Sequence, residues 1–166
     1  MTEFATSRVS IREADFDLGD EVAALRAGDG GVGAVVAFVG TVRELSSGAT
    51  IAAMELEHYP GMTERAIEAM IDAAAGRFEI RSARVVHRVG RLLPRDQIVL
   101  VAVTSAHRGQ AFQACEFLMD YLKTQAPFWK KEQTPEGARW VDARVADDAA
   151  AARWGLASAN AGAAGG

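Results

Sequence analysis

The most distinctive residues of this chain, for chemistry, are its lysines. Only three of the 18 lysines and arginines are lysines (Lys123, Lys130 and Lys131), and all three fall within nine residues. A lysine that is buried or crowded by other cations can lose its proton and act as a base or a nucleophile, which an arginine cannot do. The cluster is therefore a candidate catalytic site, although a solvated basic patch explains it equally well.

A second candidate site is the pair His107 and Arg108, which lies between a predicted strand ending at Ser105 and a predicted helix beginning at Gly109. The first turn of a helix exposes N–H groups and carries a partial positive charge, so cationic side chains are disfavoured there. A bound phosphate resolves the conflict, because it accepts hydrogen bonds from the helix terminus, the imidazole and the guanidinium. Alternatively, both side chains point into water at a cost of about a few tenths of a kcal/mol.

Lys123 lies near the end of this predicted helix, which covers residues 109–125. The apolar stripe of the helix ends at Leu122, so Lys123 lies at the border of the buried face, where a side chain can enter a cleft. Pro127 stops the helix. The structural alternative is that the helix dipole favours a cation near the C-terminus.

The two other lysines belong to a predicted strand over residues 128–134. Because side chains alternate along a strand, Lys130 and Glu132 share one face and Lys131 lies on the other. At least one of these two lysines is therefore expected to point inward or along a groove.

The composition is that of an ordinary globular domain, with 166 residues, 49% hydrophobic and 24% charged. We expect one domain over residues 1–154 and a flexible Ala/Gly-rich tail over 155–166. A net charge of −4 argues against nucleic-acid binding. The sequence shows no membrane span and no secretion signal, which indicates a cytoplasmic protein. A single cysteine excludes a disulfide framework, and no spacing of ligands calls for a metal or cofactor.

Hydrophobic periodicity predicts an α+β fold with a mixed, mostly antiparallel sheet and packed helices. The predicted strands cover residues 8–12, 32–42, 50–59, 80–89, 97–105, 128–134 and 139–141, and the predicted helices cover 15–27, 63–76 and 109–125. We expect the apolar strand over 32–42 to be buried and Thr63 to cap the second helix. His58, His87 and Cys115 are expected to be structural residues.

Several segments resemble the family of the large, catalytic subunit of molybdopterin synthase. The resemblance covers about residues 8–154. It is carried by GAVVAFVGTVR at 33–43, LEHYPGM at 56–62, HRVG at 87–90, VTSAHR at 103–108, MDYLK at 119–123 and APFWKKE at 126–132. These stretches are long and rich in rare residues, so chance similarity does not explain them.

The resemblance implies an α/β-hammerhead type of fold and a sulfurtransferase that converts cyclic pyranopterin monophosphate to the molybdopterin dithiolene. The sulfur would arrive as a thiocarboxylate on the C-terminal Gly-Gly of a small ubiquitin-like partner subunit. The large subunits would form a homodimer within a heterotetramer. Lys123 and Lys130 would be catalytic. The substrate-binding residues would be Thr41, Val42, Arg43, His107, Arg108, Lys123, Lys130, Lys131 and Glu132.

Two functions of other classes remain open at this stage. A non-catalytic module that binds phosphorylated metabolites would need the cationic residues but no lysine that exchanges protons. A pure interaction subunit would scaffold the sulfur carrier without binding the pterin. A dithiolene assay with a thiocarboxylated partner and cyclic pyranopterin monophosphate separates the three functions.

Overall fold

The computed structural model describes residues 7–46, 48–141 and 145–156. The strands are β1 Val9–Arg12, β2 Ala34–Thr41, β3 Leu45–Ser46, β4 Ala49–Thr50, β5 Ala53–His58, β6 Ser82–Arg88, β7 Gly90–Leu92, β8 Gln97–Ser105, β9 Phe128–Thr134 and β10 Gly137–Val141. The helices are α1 Leu18–Arg26, α2 Met62–Arg77, α3 Arg108–Gln125 and α4 Val145–Arg153.

The strands form two four-stranded sheets and a short hairpin. The first sheet has the order β1-β6-β8-β2, in which only β1 and β6 pair in parallel. The second sheet has the order β10-β9-β5-β7 and is antiparallel throughout. β3 and β4 pair with each other. The predicted α+β class with mostly antiparallel pairing is confirmed.

The main core lies between one face of the first sheet and the helices α2 and α3. Val85, Val101 and Val103 of the sheet pack there against Ile67 of α2 and Phe117 of α3. Alternate residues of the same strands form a smaller core on the opposite face, where Phe16, Val86, Leu100 and Ala102 are buried. A third cluster of Val42, Met54, Leu56 and Leu92 joins the second sheet to the end of β2. The two sheets are therefore coupled at one end of the first sheet.

The prediction of a buried strand over 32–42 is wrong in its burial. β2 is an edge strand of the first sheet, and Ala37 and Phe38 are exposed. An apolar run predicts a buried strand only when other elements pack over both faces of the sheet at that strand, and at the edge of a sheet this covering ends. Here β8 lies on one side of β2, and no described strand lies on the other.

The predicted N-cap of the second helix is also wrong. Gly61 occupies the cap with a φ of 84°, and its N–H donates to the carboxylate of Glu64. A positive φ favours glycine, so the turn places the cap two residues before Thr63. The hydroxyl of Thr63 instead donates to the carbonyl of Pro127 at 3.1 Å and accepts from the N–H of Tyr59 at 3.0 Å.

The helix α4 and the strand β7 were not predicted from the sequence. β7 has only three residues, and α4 lies in an alanine-rich segment without a strong apolar stripe. Trp154 and Leu156, which follow α4, pack against the main core. The predicted flexible tail falls largely on residues 157–166, which lie outside the described residues. Within the described ranges, no helix combines the length and the apolar character that crossing a membrane requires.

Candidate active site

Lys123 and Arg43 lie at one end of the first sheet. β2 runs antiparallel to β8, and its last residue, Thr41, pairs with Gln97 at the start of β8. α3 follows the end of β8 and packs back along it, so Lys123 in its last turn returns towards the same end. The topology therefore places Arg43, which follows β2, and Lys123, in the last turn of α3, at the same end of the first sheet.

His107 and Arg108 lie at the other end of α3, some 15 residues before Lys123. Since an α-helix rises 1.5 Å per residue, the two groups are separated by about 22 Å along the axis. Within one chain, the residues predicted to bind one substrate thus divide into two groups at opposite ends of α3.

The N-terminus of α3 is open to solvent, as a phosphate site requires. His107 is the N-cap and makes no side-chain capping bond, and the first turn contains no acidic residue. Both His107 and Arg108 are exposed. Behind them, the hydroxyl of Ser105 accepts from the N–H of His107 at 3.1 Å and donates to the carbonyl of Glu79. The backbone is therefore fixed while the cationic side chains remain accessible.

Lys130 lies on the inner face of β9 with a buried carboxylate. Glu132 has a side-chain exposure of 2%, and its Oε1 is 4.0 Å from Nζ of Lys130. Its other oxygen accepts from Arg139 on β10 at 3.2 Å. Arg139 also donates to the carbonyl of Ser46, next to the β3–β4 turn. Glu132 thus holds one cation at the site and ties a second cation to the neighbouring loop.

Lys131 points to the opposite, outer face of β9. Its Nζ lies 5.3 Å from the ring centroid of Trp140 on β10, a cation–π contact. Across the sheet it pairs with Glu55, which is exposed. The predicted face separation of Lys130 and Lys131 is therefore found, and the inward lysine is Lys130.

His87 of β6 stacks on Phe128 of β9, the strand that carries Lys130. Their ring centroids are 3.9 Å apart with an interplanar angle of 18°. Burial lowers the pKa of His87 to about 4, and the nearby charges of Lys123 and His58 act in the same direction. Phe128 lies two residues before Lys130 on the same face of β9. The strand that carries Lys130 is therefore joined to β6 of the first sheet through this aromatic pair.

Arg43 follows β2 in an open cleft. The cleft is lined by Thr41, Val42, Arg43, Glu44, Leu45 and Arg95. Val42 is only 2% exposed and packs in the third apolar cluster, and its N–H and carbonyl bond to Asp96 and Arg95. Thr41 and Arg43 are exposed. Val42 therefore supports the cleft, and Thr41 and Arg43 are the groups that can meet a ligand.

Two arginines of the candidate site were not selected from the sequence. They are Arg139, which pairs with Glu132, and Arg95, which lines the cleft of Arg43. Arg139 had one usable signal, since pairing across the predicted hairpin sets it opposite Glu132. Arg95 had none, because only the fold brings its turn against Glu44. Within the ranges described, no cluster of three or more His, Cys, Asp or Glu residues could hold a metal ion.

Comparison with known proteins identifies the family. The model of the MoaE protein family matches residues 11–125. The molybdopterin synthase catalytic subunit of Ralstonia nicotianae is 63% identical over 156 residues, which cover 94% of this chain and 89% of that protein. The solved structure of a molybdopterin biosynthesis MoaE protein from Burkholderia ambifaria is 61% identical, has a TM-score of 0.78, and covers 90% of this chain and 99% of its own.

A more distant structure shares the fold. It is a protein–protein complex of subunits 1 and 2 of molybdopterin-converting factor from Helicobacter pylori, 20% identical with a TM-score of 0.68 over 82% of this chain and 91% of that one. The match of the family model, the high identity over nearly the whole length and the common fold agree. This chain belongs to the MoaE family, the catalytic subunits of molybdopterin synthase.

Proposed function

We propose that this chain transfers sulfur from a thiocarboxylated small subunit to cyclic pyranopterin monophosphate, with Lys123 and Lys130 as its catalytic residues. The observation that supports the assignment of residues is the placement of Lys130 on the inner face of β9, where the buried Glu132 holds it. The fold returns Lys123, in the last turn of α3, towards the end of the first sheet that carries Arg43.

The chemistry requires a cationic site with a proton donor. A thiocarboxylate sulfur attacks a carbon of the pterin side chain, the bond from that carbon to an oxygen substituent breaks, and the leaving oxygen takes a proton; an acyl–sulfur linkage then joins partner and substrate. Water then attacks that acyl carbon through a tetrahedral oxyanion, releasing the partner's carboxylate and leaving the sulfur on the pterin. A second round completes the dithiolene. An ammonium at Lys123 stabilises the oxyanion or exchanges the proton, and Lys130 positions the substrate.

The phosphate-binding residues are best supplied by a second copy of the chain. His107 and Arg108 lie about 22 Å along α3 from Lys123, too far for one small substrate to bridge. In a dimer with two-fold symmetry, each chain can lend its α3 N-terminus to the site of the other. Each of two equivalent sites then contains Arg43, Lys123 and Lys130 from one chain and His107 and Arg108 from its partner.

The exposed edge of β2 supports this dimer. Two β2 strands that pair antiparallel set the Ala34 end of one chain beside the Thr41 end of the other, which brings opposite ends of the first sheets together. An unpaired apolar edge is prone to pair with another chain. Phe38 on β2 and Phe112 on the adjoining α3 are 40% and 62% exposed, and association would remove this apolar surface from water.

The decisive experiment mixes the full chain with thiocarboxylated small subunit and cyclic pyranopterin monophosphate, and measures the dithiolene product. Product formed in a single turnover supports sulfur transfer. A non-catalytic phosphate-binding module would bind the pterin without forming product, and a scaffold would bind only the partner. We place the reaction in the cytoplasm, which suits the free, buried thiol of Cys115.

A further inference from the structure

Thr63 lies in the first turn of α2, and its side chain is completely buried. Its exposure is 0%, although the N-cap position, which could use a hydroxyl, belongs to Gly61. A buried hydroxyl without hydrogen bonds destabilises a fold, so its partners show what this residue does. The sulfur-transfer scheme above gives it no part.

Both hydrogen bonds of the Thr63 hydroxyl go to the backbone of other segments. The N–H of Tyr59 donates to Oγ1 at 3.0 Å, and Oγ1 donates to the carbonyl oxygen of Pro127 at 3.1 Å. Because an N–H only donates and a carbonyl only accepts, the direction of the hydroxyl proton is fixed. The N–H of Thr63 donates in turn to the carbonyl of Tyr59 at 2.9 Å. The first turn of α2 is therefore bonded to Tyr59 in both directions.

The hydroxyl extends the pairing of β5 with β9 beyond its last paired residues. These are His58 and Phe128; Tyr59 follows the first and Pro127 precedes the second. The Thr63 oxygen lies between the N–H of Tyr59 and the carbonyl of Pro127, so two hydrogen bonds through a side chain stand in the place of one direct backbone bond. The helix α2 is thereby tied to both strands at the point where they separate.

Pro127 belongs to the short junction between α3 and β9. The helix ends at Gln125 and the strand begins at Phe128, so two residues connect them. The N–H of Ala126 bonds back to the last turn of the helix, that of Phe128 bonds to Ala126 at 2.9 Å, and a proline has no N–H. Among the hydrogen bonds of the described residues, the one from Thr63 is the bond that ties this junction to another element.

The junction separates the two lysines that are proposed as catalytic. Lys123 lies in the last turn of α3, just before the junction, and Lys130 is the third residue of β9, just after it. The direction in which β9 leaves α3 therefore sets the position of one lysine relative to the other. A displacement of about 1 Å in a catalytic arrangement can change a rate by about 10²-fold.

We propose that Thr63 is a positioning residue for sulfur transfer, because its hydroxyl fixes the α3–β9 junction and with it the relative position of Lys123 and Lys130. The proposal rests on the function proposed above. Thr63 acts through the backbone of Pro127 and does not touch the reacting atoms. Without the hydroxyl, the N–H of Tyr59 and the carbonyl of Pro127 lose their partner, and the junction is no longer held to α2.

Two substitutions separate the hydroxyl of Thr63 from the volume of its side chain. Thr63→Val keeps the shape and removes the hydroxyl, whereas Thr63→Ser keeps the hydroxyl and loses a methyl group. At saturating substrate, the single-turnover rate should fall about tenfold or more in Thr63→Val, while the KM for cyclic pyranopterin monophosphate changes by less than about threefold. Thr63→Ser should keep at least about half of the rate. Equal losses in the two variants, or a full rate in Thr63→Val, would overturn the proposal.

Thr104→Val is the matched control. Thr104 is also 0% exposed, and its hydroxyl makes a hydrogen bond with Ser82 between β8 and β6. It lies near the end of β8 that is away from Lys123. The control loses a buried hydroxyl, as Thr63→Val does, and should keep the single-turnover rate at saturating substrate. A loss of rate equal to that of Thr63→Val would show that general destabilisation is the cause and would overturn the proposal.

Hydrogen exchange at the Tyr59 amide keeps the proposal testable if Thr63→Val folds poorly. Tyr59 lies beyond the end of β5 with 53% of its surface exposed, yet the bond to the Thr63 hydroxyl should protect this amide. The protection and the rate of sulfur transfer should fall together from wild type to Thr63→Ser to Thr63→Ala. Fast exchange in the wild type, or a rate that does not follow the protection, would contradict the proposal. A protected amide in a wild-type chain that forms no dithiolene product would instead count against the proposed function.

Discussion

Lys130 and Glu132 project from the same face of β9, and Nζ of the lysine lies 4.0 Å from a carboxylate oxygen that is almost completely buried. The same carboxylate accepts a hydrogen bond from Arg139 at 3.2 Å. One buried negative charge therefore organises two cations on neighbouring strands. Removing it leaves both cations without their common counter-charge.

Glu132→Gln is expected to lower the free energy of unfolding by about 2 kcal/mol, because a buried carboxylate loses charge-assisted contacts to Lys130 and Arg139, which are 28% and 41% exposed and keep part of their hydration. Sulfur transfer should fall as well, because Lys130 loses the carboxylate that holds its ammonium group. The matched control is Glu55→Gln, an exposed carboxylate on the outer face of β5, which should change stability by less than about 1 kcal/mol. Denaturant unfolding of both variants checks the contrast, and equal losses would refute the organising role of Glu132.

Lys123→Ala is expected to reduce sulfur transfer by about 10²–10⁴-fold, the usual contribution of a positioned proton-transfer group. Lys123→Arg should be nearly as defective if proton exchange matters, because arginine keeps its proton. The control is Arg91→Ala, which removes an exposed cation from the edge strand β7. Single-turnover rates decide the point: near-normal transfer by Lys123→Arg would leave the residue a role as a fixed charge alone.

Acid should destabilise the fold between pH 6.5 and about pH 4 through His87. Its folded pKa is lowered to about 4 from the ordinary 6.5 because burial disfavours the imidazolium. Below pH 6.5 the unfolded chain binds a proton that the folded chain does not, so stability falls as the pH falls. The full difference is about 3 kcal/mol and is reached near pH 4. Unfolding curves of His87→Phe should be flatter over this window; an unchanged slope would show that another group is responsible.

Sequence patterns predict which face of a single strand or helix a residue occupies. They do not predict features that depend on contacts between distant segments. The alternation in β9 separated Lys130 from Lys131, and the stripe of α3 set Lys123 at its border, because both depend only on the period of one element. The period of β2 does not predict that Ala37 and Phe38 are exposed, because their exposure depends on which elements pack around the strand. The division of the candidate site between two ends of α3 also needed the fold, because residue types alone carry no distance.

Arg95 adopts a left-handed φ of 78°, unfavourable for a residue with a Cβ, in the turn before β8. Its side chain is 86% exposed and, among the residues that the structure describes, pairs only with an exposed carboxylate of Glu44. Arg95→Gly should therefore raise the free energy of unfolding by about 0.5 kcal/mol, the relief of strain exceeding the added entropy of the unfolded chain. Arg91→Gly, the same change within a strand, should lower it by about 1 kcal/mol. Thermal unfolding that shows both variants destabilised would contradict this assignment of strain.

The proposed exchange of residues between two chains predicts complementation between inactive variants. Lys123→Ala and Arg108→Ala should each be defective, the second through a raised KM, because charge-assisted contacts to a phosphate contribute about 1.5–3 kcal/mol. In a mixed dimer, one site would contain both defects and the other neither. Random assembly should therefore restore about a quarter of the wild-type activity, since half of the dimers are mixed and each has one intact site.

The measurement is sulfur transfer after the two variants are unfolded and refolded together, with each variant refolded alone as the control. If all site residues came from one chain, every site in the mixture would keep one defect and no activity would return. A mixture of Lys123→Ala with Lys130→Ala separates complementation from simple stabilisation by mixing. Both of these residues belong to the same half of the site, so each site in that mixture retains one defect and stays inactive. Recovery in that second mixture would show that the division between chains is not the one proposed.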